Sequence, residues 1–223
     1  MKTRTGLNSG VKKHRFGKAW MHEHVNDPYV KEAQRLGFRA RAAFKLIELD
    51  ERDHLLRPNM TVVDLGAAPG SWCQVVRKRA GAKTKIIAID ILPMEGLNGV
   101  HFIQADFSDA NELRELEVRF DDAAIDLVLS DLSPNLSGVE SADQARSVGL
   151  AELALDFCVR HLRTGGDFVV KVFQGTGFAD FRRTMGEHFE KTYARKPKAS
   201  RDRSREIYLV GKRFLGGENR VCR

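Results

Sequence analysis

Thr61-Val62-Val63-Asp64-Leu65-Gly66-Ala67-Ala68-Pro69-Gly70-Ser71-Trp72 is a β-branched run that stops at an acid and passes into a glycine-bounded turn. Thr and Val favour a strand. Gly66 and Gly70 let the backbone turn tightly and approach a ligand with no Cβ in the way, and Pro69, which has no N–H to satisfy, suits the entry to a helix. The expected unit is the first strand, loop and helix start of a nucleotide-type α/β sheet. Its glycines are spaced G-x-x-x-G rather than G-x-G-x-x-G, with Asp64 two residues before the first of them. A loop that cradles pyrophosphate works through backbone N–H groups and a helix N-terminus, and gains nothing from a carboxylate at its mouth. A cationic ligand does gain from it. S-adenosylmethionine carries a sulfonium and an ammonium, so Asp64 and Gly66 point to that cofactor rather than to NAD. The competing reading is a plain strand-turn-helix in which Asp64 is a buried cap.

Strand and helix signals alternate along the rest of the chain, the rhythm of a parallel, doubly wound sheet. Helical periodicity begins near Pro28 and is clear over 39–49, where Ala43, Phe44, Leu46 and Ile47 form an apolar face. Strands are expected at 61–64, 85–90, 100–105, 125–130, 167–173, 191–195 and 206–212, with helices at 71–79, 147–162 and 178–189. These make a seven-stranded sheet. Residues 27–214 are expected to form a single domain, preceded by a basic arm at 1–26 and followed by a tail at 215–223.

Charge is unevenly distributed. Residues 1–45 carry 11 Lys/Arg against 3 Asp/Glu, residues 46–181 carry 13 against 22, and residues 182–213 carry 11 against 4. A basic run is often only a solvated face. Two basic segments flanking an acidic middle make a polyanion-binding surface if the fold unites them. Candidate RNA contacts are Lys12, Lys13, Arg15 and Lys18 in the arm, Arg39 and Arg41 on the first helix, and Arg195, Lys196, Lys198, Arg201 and Arg203 near the end. Cys73, Cys158 and Cys222 are few, odd in number and far apart, which argues against a disulfide framework or zinc site and for a reducing cytosol. No apolar run approaches a membrane span, and the basic N-terminus lacks the apolar stretch of a signal peptide.

Ligands of open α/β sheets bind outside the carboxyl ends of the strands. Asp64 closes the first expected strand, Asp90 closes the second, and Asp106 follows the third. A carboxylate at Asp90 can accept both ribose hydroxyls of a nucleoside, and one at Asp106 can accept from an adenine amino group. Each can also be a cap or turn residue. Asp131 follows the fourth strand, and Lys171 lies inside the apolar run Phe168-Val169-Val170-Lys171-Val172-Phe173. Burial shifts a lysine toward its neutral form, which makes it available as a base; the alternative is a lysine that snorkels from an edge strand. Glu206 opens the final strand. If that strand runs antiparallel, Asp131, Lys171 and Glu206 converge.

From 27 to 210 the chain resembles the bacterial FtsJ/RrmJ (RlmE) family of large-subunit ribosomal RNA 2′-O-ribose methyltransferases. The resemblance is carried by R-A-R-A-A-F-K-L at 39–46, V-V-D-L-G-A-A-P-G at 62–70, S-D-L-S-P-N at 130–135, F-V-V-K-V-F-Q-G at 168–175 and S-R-x-R-S-R-E-x-Y at 200–208. It implies a Rossmann-like class I methyltransferase with a mostly parallel sheet whose last strand is antiparallel. It also implies a Lys-Asp-Lys-Glu tetrad on Lys45, Asp131, Lys171 and Glu206, and cofactor contacts from Gly70, Trp72, Asp90, Asp106 and Asp131. The implied substrate is a uridine of 23S rRNA in the 50S subunit, methylated by a cytoplasmic monomer. Because the sulfonium is already activated, the reaction calls for no metal. Ser71 and Cys73 depart from the glycine and serine common after the loop, and the N-terminal arm is longer than usual. A methyltransferase of tRNA or another RNA, and a non-catalytic ribosome-assembly factor of the same fold, remain as alternatives.

Overall fold

The computed structural model describes residues 26–109, 111, 112, 114, 124–201 and 203–216. Chain order runs α1 (Pro28–Arg35), α2 (Ala43–Asp53), β1 (Thr61–Leu65), α3 (Ser71–Ala80), β2 (Lys85–Asp90), β3 (Val100–Gln104), β4 (Ile125–Ser130), α4 (Glu140–His161), β5 (Leu162–Phe173), α5 (Phe178–Gly186), β6 (Phe189–Arg195) and β7 (Glu206–Phe214). The strands form one sheet in the order β3-β2-β1-β4-β5-β7-β6. Neighbours from β3 to β5 pair in parallel, whereas β7 is antiparallel to both β5 and β6. The strand order reverses between β1 and β4, the switch point beside which ligands of such sheets bind.

Apolar side chains cover both faces of the sheet, and the two sets follow the alternation of the strands. Val63, Leu65, Val128, Val170 and Leu209 join Ala151, Leu155 and Cys158 of α4 and Met185 of α5. Val62, Leu127, Leu129, Val169 and Val210 join Leu46 and Leu49 of α2 and Val75 and Val76 of α3. Lys171 and Tyr208 therefore look toward the α2/α3 side.

Two helices differ from their sequence expectation. The run expected over 39–49 is broken: α1 ends at Arg35, capped at its start by the Asp27 carboxylate, and α2 begins only at Ala43. Arg39 and Arg41 lie in the bend between them, so they share no helix face with Lys45. The helix expected to start at 147 starts instead at Glu140. Its first buried positions are Asp143, Gln144 and Ser147, which escape a search for apolar periodicity. They are satisfied by hydrogen bonding: Asp143 holds the preceding loop, Gln144 Oε1 accepts from the Thr176 N–H at 3.1 Å, and Ser147 Oγ accepts from the Phe173 N–H at 3.0 Å. Strand β5 also begins earlier than expected, at Leu162, and its register with β4 shifts between Ile125 and Leu127. Pro69 lies ahead of the helix cap, Gly70, rather than in the first turn of α3.

Candidate active site

The carboxyl ends of β1, β2, β4 and the loop after β3 surround a cavity of about 990 Å³, lined by Gly66, Ala68, Asp90, Asp106 and Asp131 among others. Its floor is the glycine loop. Gly66 has φ +77°, and a Cβ there would stand 2.9 Å from the Leu132 backbone N. Only glycine lets the two loops close to this distance. The Gly66 and Ala67 N–H groups both donate to Ile89 O (2.9 and 3.1 Å), and the Ala68 N–H donates to Asp90 Oδ2 at 2.9 Å. These donors are spent inside the protein, so the loop lacks the open row of N–H groups that binds a pyrophosphate. That accords with the glycine spacing.

The four proposed cofactor acids are used differently. Asp90 accepts from Ala68 and, at 2.8 Å, from the Leu92 N–H, which leaves lone pairs for a ligand at the cavity wall. Asp106 lines the cavity and accepts from the Ser108 N–H and hydroxyl at 2.8 and 2.6 Å. Asp64 is fully buried. Cys73 Sγ donates to its Oδ2 at 3.1 Å, and its Oδ1 has no partner. Burial, only partly offset by the Cys73 hydrogen bond and reinforced by Asp131 and Asp90, pushes the Asp64 carboxyl up to about 7. A buried acceptor without a donor is a cost to the fold, and Asp64, expected from sequence to contact the cofactor, is not on the cavity wall. Asp131 belongs to both this cavity and the cluster described next.

Gly70 and Trp72 stand apart from the cavity. Gly70 has φ +99°, and a Cβ there would press on Leu97, Met94 and the Arg39 guanidinium. The Trp72 indole N–H donates to Ala42 O at 2.8 Å, and its ring lies 5.8 Å from that of Tyr208. The indole thus holds α3 to the start of α2 beside the tetrad. The cavity, the glycine cradle and the acid set fit an adenosine-bearing cation.

On the α2/α3 side of the same sheet edge, four charged side chains and one phenol form a continuous chain. Lys171 faces Tyr208 across the β5–β7 pair, and Phe173 faces Glu206, so alternation puts Lys171, Tyr208 and Glu206 on one face. Ser130 pairs with Val170, which brings Asp131 beside Lys171. Lys171 Nζ lies 3.0 Å from Asp131 Oδ1 and donates to Asp131 O at 2.8 Å. Tyr208 donates its hydroxyl to Asp131 Oδ1 at 2.7 Å and accepts from Lys45 Nζ at 3.2 Å. Lys45 Nζ in turn lies 2.6 Å from Glu206 Oε1. The order is Lys171, Asp131, Tyr208, Lys45, Glu206.

Electrostatics follows from that order. Burial would raise the Asp131 carboxyl, but Lys171, Lys45 and the Tyr208 hydroxyl outweigh it and hold the group below the usual carboxylate range. Glu206 behaves likewise: burial opposes ionisation, and Lys45 overrides it. Burial and the neighbouring carboxylates push the Tyr208 phenol well above its ordinary value, so it remains a neutral donor. The arrangement keeps two carboxylates ionised beside two amines in a site only 7% exposed at the Lys171 side chain.

Sequence reasoning missed Tyr208. The signal was its position two residues after Glu206, which in a strand means the same face.

A family model described as FtsJ-like methyltransferase matches residues 38–214. The chain belongs to the FtsJ-like methyltransferase family. A ribosomal RNA large subunit methyltransferase E of Azoarcus sp. (strain BH72) is 61% identical over 201 residues, covering 90% of this chain and 98% of that one. The protein of that name from Thiobacillus denitrificans is 57% identical, covering 91% of this chain and 92% of that one. A solved structure of a putative ribosomal RNA methyltransferase from Plasmodium falciparum superposes with a TM-score of 0.71 at 35% identity, covering 80% of this chain and all of that one. The family is a methyltransferase family, and the seven-stranded sheet with its antiparallel β7 is the one expected from sequence.

The basic residues are divided. Lys12, Lys13, Arg15 and Lys18 lie outside the described residues. Arg39 donates to the carbonyls of Pro69 (2.9 Å), Glu95 (2.7 Å) and Gly96 (3.0 Å), which clamps the loop after β2 onto the glycine loop. Arg41 pairs with Asp27 and donates to Ala199 O. Arg195 holds Asp53 through two hydrogen bonds of 2.9 and 2.6 Å. These three arginines brace the fold. Lys196 donates to Glu206 O at 3.1 Å, next to the tetrad. Lys198 and Arg203 are exposed, and Arg201 is half-buried. No helix among the described residues is long and apolar enough to cross a membrane.

Proposed function

We propose that the chain is an S-adenosylmethionine-dependent 2′-O-ribose methyltransferase that acts on 23S rRNA of the large ribosomal subunit, as a monomer in the cytoplasm. The observation that carries the reading is the Lys171-Asp131-Tyr208-Lys45-Glu206 chain beside a cavity with adenosine-type carboxylates. The names of the relatives support the RNA class and the large subunit. Bound S-adenosylmethionine supplies an activated methyl-sulfur bond. Asp90, Asp106 and Asp131 bind its adenosine and charged portions, with Gly66 giving the close approach.

Lys171 is the base. A ribose 2′-hydroxyl is a poor nucleophile near neutral pH, and a base aligned with it contributes to the rate along with the proximity that binding imposes. Asp131 fixes the Lys171 amine by holding it through a carboxylate oxygen and a backbone carbonyl. Lys45 stands on the far side of the Tyr208 hydroxyl, where its charge can steer an adjacent phosphate; Glu206 orients it. Beside the ionised Asp131 the amine rests as an ammonium, so it must first lose one proton to solvent to act as a base; after transfer, the proton taken from the hydroxyl restores the Lys171 ammonium.

The deciding experiment is labelled-methyl transfer from S-adenosylmethionine to 50S subunits, free 23S rRNA and tRNA. Transfer to large-subunit RNA, lost in Lys171→Ala with cofactor and RNA binding retained, is the expected result. Transfer only to tRNA would reassign the substrate, and no transfer by the native chain would leave an RNA-binding factor.

A further inference from the structure

The loop that joins β4 to α4, residues 131–139, leaves two large apolar side chains in solvent: Leu136 is 68% exposed and Val139 is 59% exposed. Single exposed apolar residues are common and need no explanation. These two differ in how they are held. The buried carboxylate of Asp143 accepts from the Ser137 N–H and hydroxyl, both at 2.8 Å, and from the Gly138 N–H at 3.1 Å. The turn between the two apolar residues is therefore tied to α4, and Gly138 supplies its φ of +81°. Glu140, next to Val139, pairs with Arg205 and accepts from Gln144 Nε2 at 2.9 Å. A contact made on an ordered tip forfeits little conformational entropy.

Position gives the tip its meaning. The loop starts at Asp131, the partner of Lys171, and five residues of chain reach at most about 18 Å, so Leu136 stays within a short span of polynucleotide from the base. Across the same sheet edge stand the exposed cations Lys198 and Arg203, and the Arg205–Glu140 pair joins that segment to the loop. The cavity lining runs along this loop from Asp131 to Asn135, and Leu136 is the next residue, so the loop side of the site carries exposed apolar side chains and the facing segment carries exposed cations. A nucleic acid strand presents both complements, nucleobase faces for the first and phosphates for the second. Two side chains are far too few for a stable protein interface, which buries roughly 800 Å² on each partner.

We propose that Leu136 and Val139 form an apolar wedge that takes the nucleobase flanking the target nucleotide, unstacking it so that the ribose 2′-hydroxyl can reach Lys171. The wedge rests on the RNA ribose methylation reading above. Aliphatic side chains inserted at a base step unstack and kink nucleic acids, and base contacts of this kind tolerate sequence. The wedge acts on the RNA before transfer, so its removal slows turnover of bound RNA.

The test compares the native chain, a Leu136→Ser/Val139→Ser double variant and a Leu136→Met control on whichever large-subunit RNA substrate the native chain methylates. The double variant should keep its melting temperature, its S-adenosylmethionine affinity and its salt dependence of RNA binding. Its single-turnover rate at saturating RNA should fall roughly tenfold or more, because the base step is no longer unstacked by an apolar wedge, while Leu136→Met stays near native. An unchanged saturating rate would overturn the wedge. Weaker RNA binding with that rate intact would overturn it too, by making the tip an ordinary docking surface. Absence of RNA methylation by the native chain would instead sink the underlying functional reading.

Discussion

Tyr208 is the residue through which the two halves of the tetrad communicate. Its hydroxyl is the shared link between Asp131 and Lys45, and removing it leaves the Asp131 carboxylate with Lys171 alone. Tyr208→Phe preserves the packing against Trp72 and deletes two hydrogen bonds to charged groups, each worth about 1.5–3 kcal/mol. The expected outcome is slower single-turnover transfer at unchanged S-adenosylmethionine affinity, read by rapid quench and calorimetry. Asp64 makes a different prediction. Its carboxyl is raised from 3.8 to about 7 in the folded state, so between those values the native chain binds more protons than the unfolded one. Stability contributed by the protonated form is fully present below pH 4 and declines as pH rises through 7. Integrated over that window, the penalty is of the order of 4 kcal/mol. Asp64→Asn should therefore raise the melting temperature at pH 8, and flatten its fall between pH 4 and 7, in the absence of cofactor. S-adenosylmethionine affinity should stay near native, because Asp64 is fully buried and does not line the cavity; a large loss of affinity in the folded variant would return the carboxylate to the cofactor site.

At the scale of elements, the parts of the fold that repeat a single physical rule were legible and the parts that depend on partners distant in sequence were not. Strands β1, β2 and β4 are apolar, β-branched runs; β2 ends at Asp90 and Asp131 follows β4, so these two carboxylates stand at the edge that parallel strands all present, whereas Asp64, expected to close β1, lies inside it and is buried. Lys171 announced itself as a charge inside an apolar strand. The first two turns of α4 did not, because Asp143, Gln144 and Ser147 are buried polar residues satisfied by the loop before the helix and the strand end beside it. Arg39 misled for a related reason. Its charge reads as a solvated or RNA-facing group, whereas three backbone carbonyls absorb the guanidinium. That commitment changes what its mutation should do. Arg39→Met removes the clamp between the glycine loop and the loop after β2, so cofactor affinity should fall several-fold while the salt dependence of RNA binding stays the same. Isothermal titration and a salt series separate the two effects, and a changed salt slope would return Arg39 to the RNA surface.

For the whole molecule, the antiparallel insertion of β7 between β5 and β6 has an electrostatic consequence. It carries Glu206 to Lys45, and with it the segment 195–205 comes to the mouth of the tetrad, from the far end of a chain whose middle is acidic. Direct contacts fasten that segment to α2 and the bend before it: Arg195 pairs with Asp53, the Lys198 N–H donates to Glu48 Oε2 at 2.7 Å, the Ala199 N–H to Glu48 Oε1 at 2.9 Å, and Arg41 to Ala199 O. The Lys198 and Arg203 side chains are consequently presented from a braced backbone at one side of the site. Each phosphate neutralised by such a cation contributes about −0.7 to −0.9 to the slope of log K against log salt. Lys198→Ala/Arg203→Ala should therefore weaken binding of any large-subunit RNA and flatten that slope by roughly one to two units, because both residues act through charge rather than base identity. Cofactor affinity should not move, since neither side chain lines the cavity. A salt titration of the native and doubly substituted chains on one RNA decides it: coincident slopes would remove these two cations from the RNA path and leave the mouth to Arg201, Arg205 and Lys196.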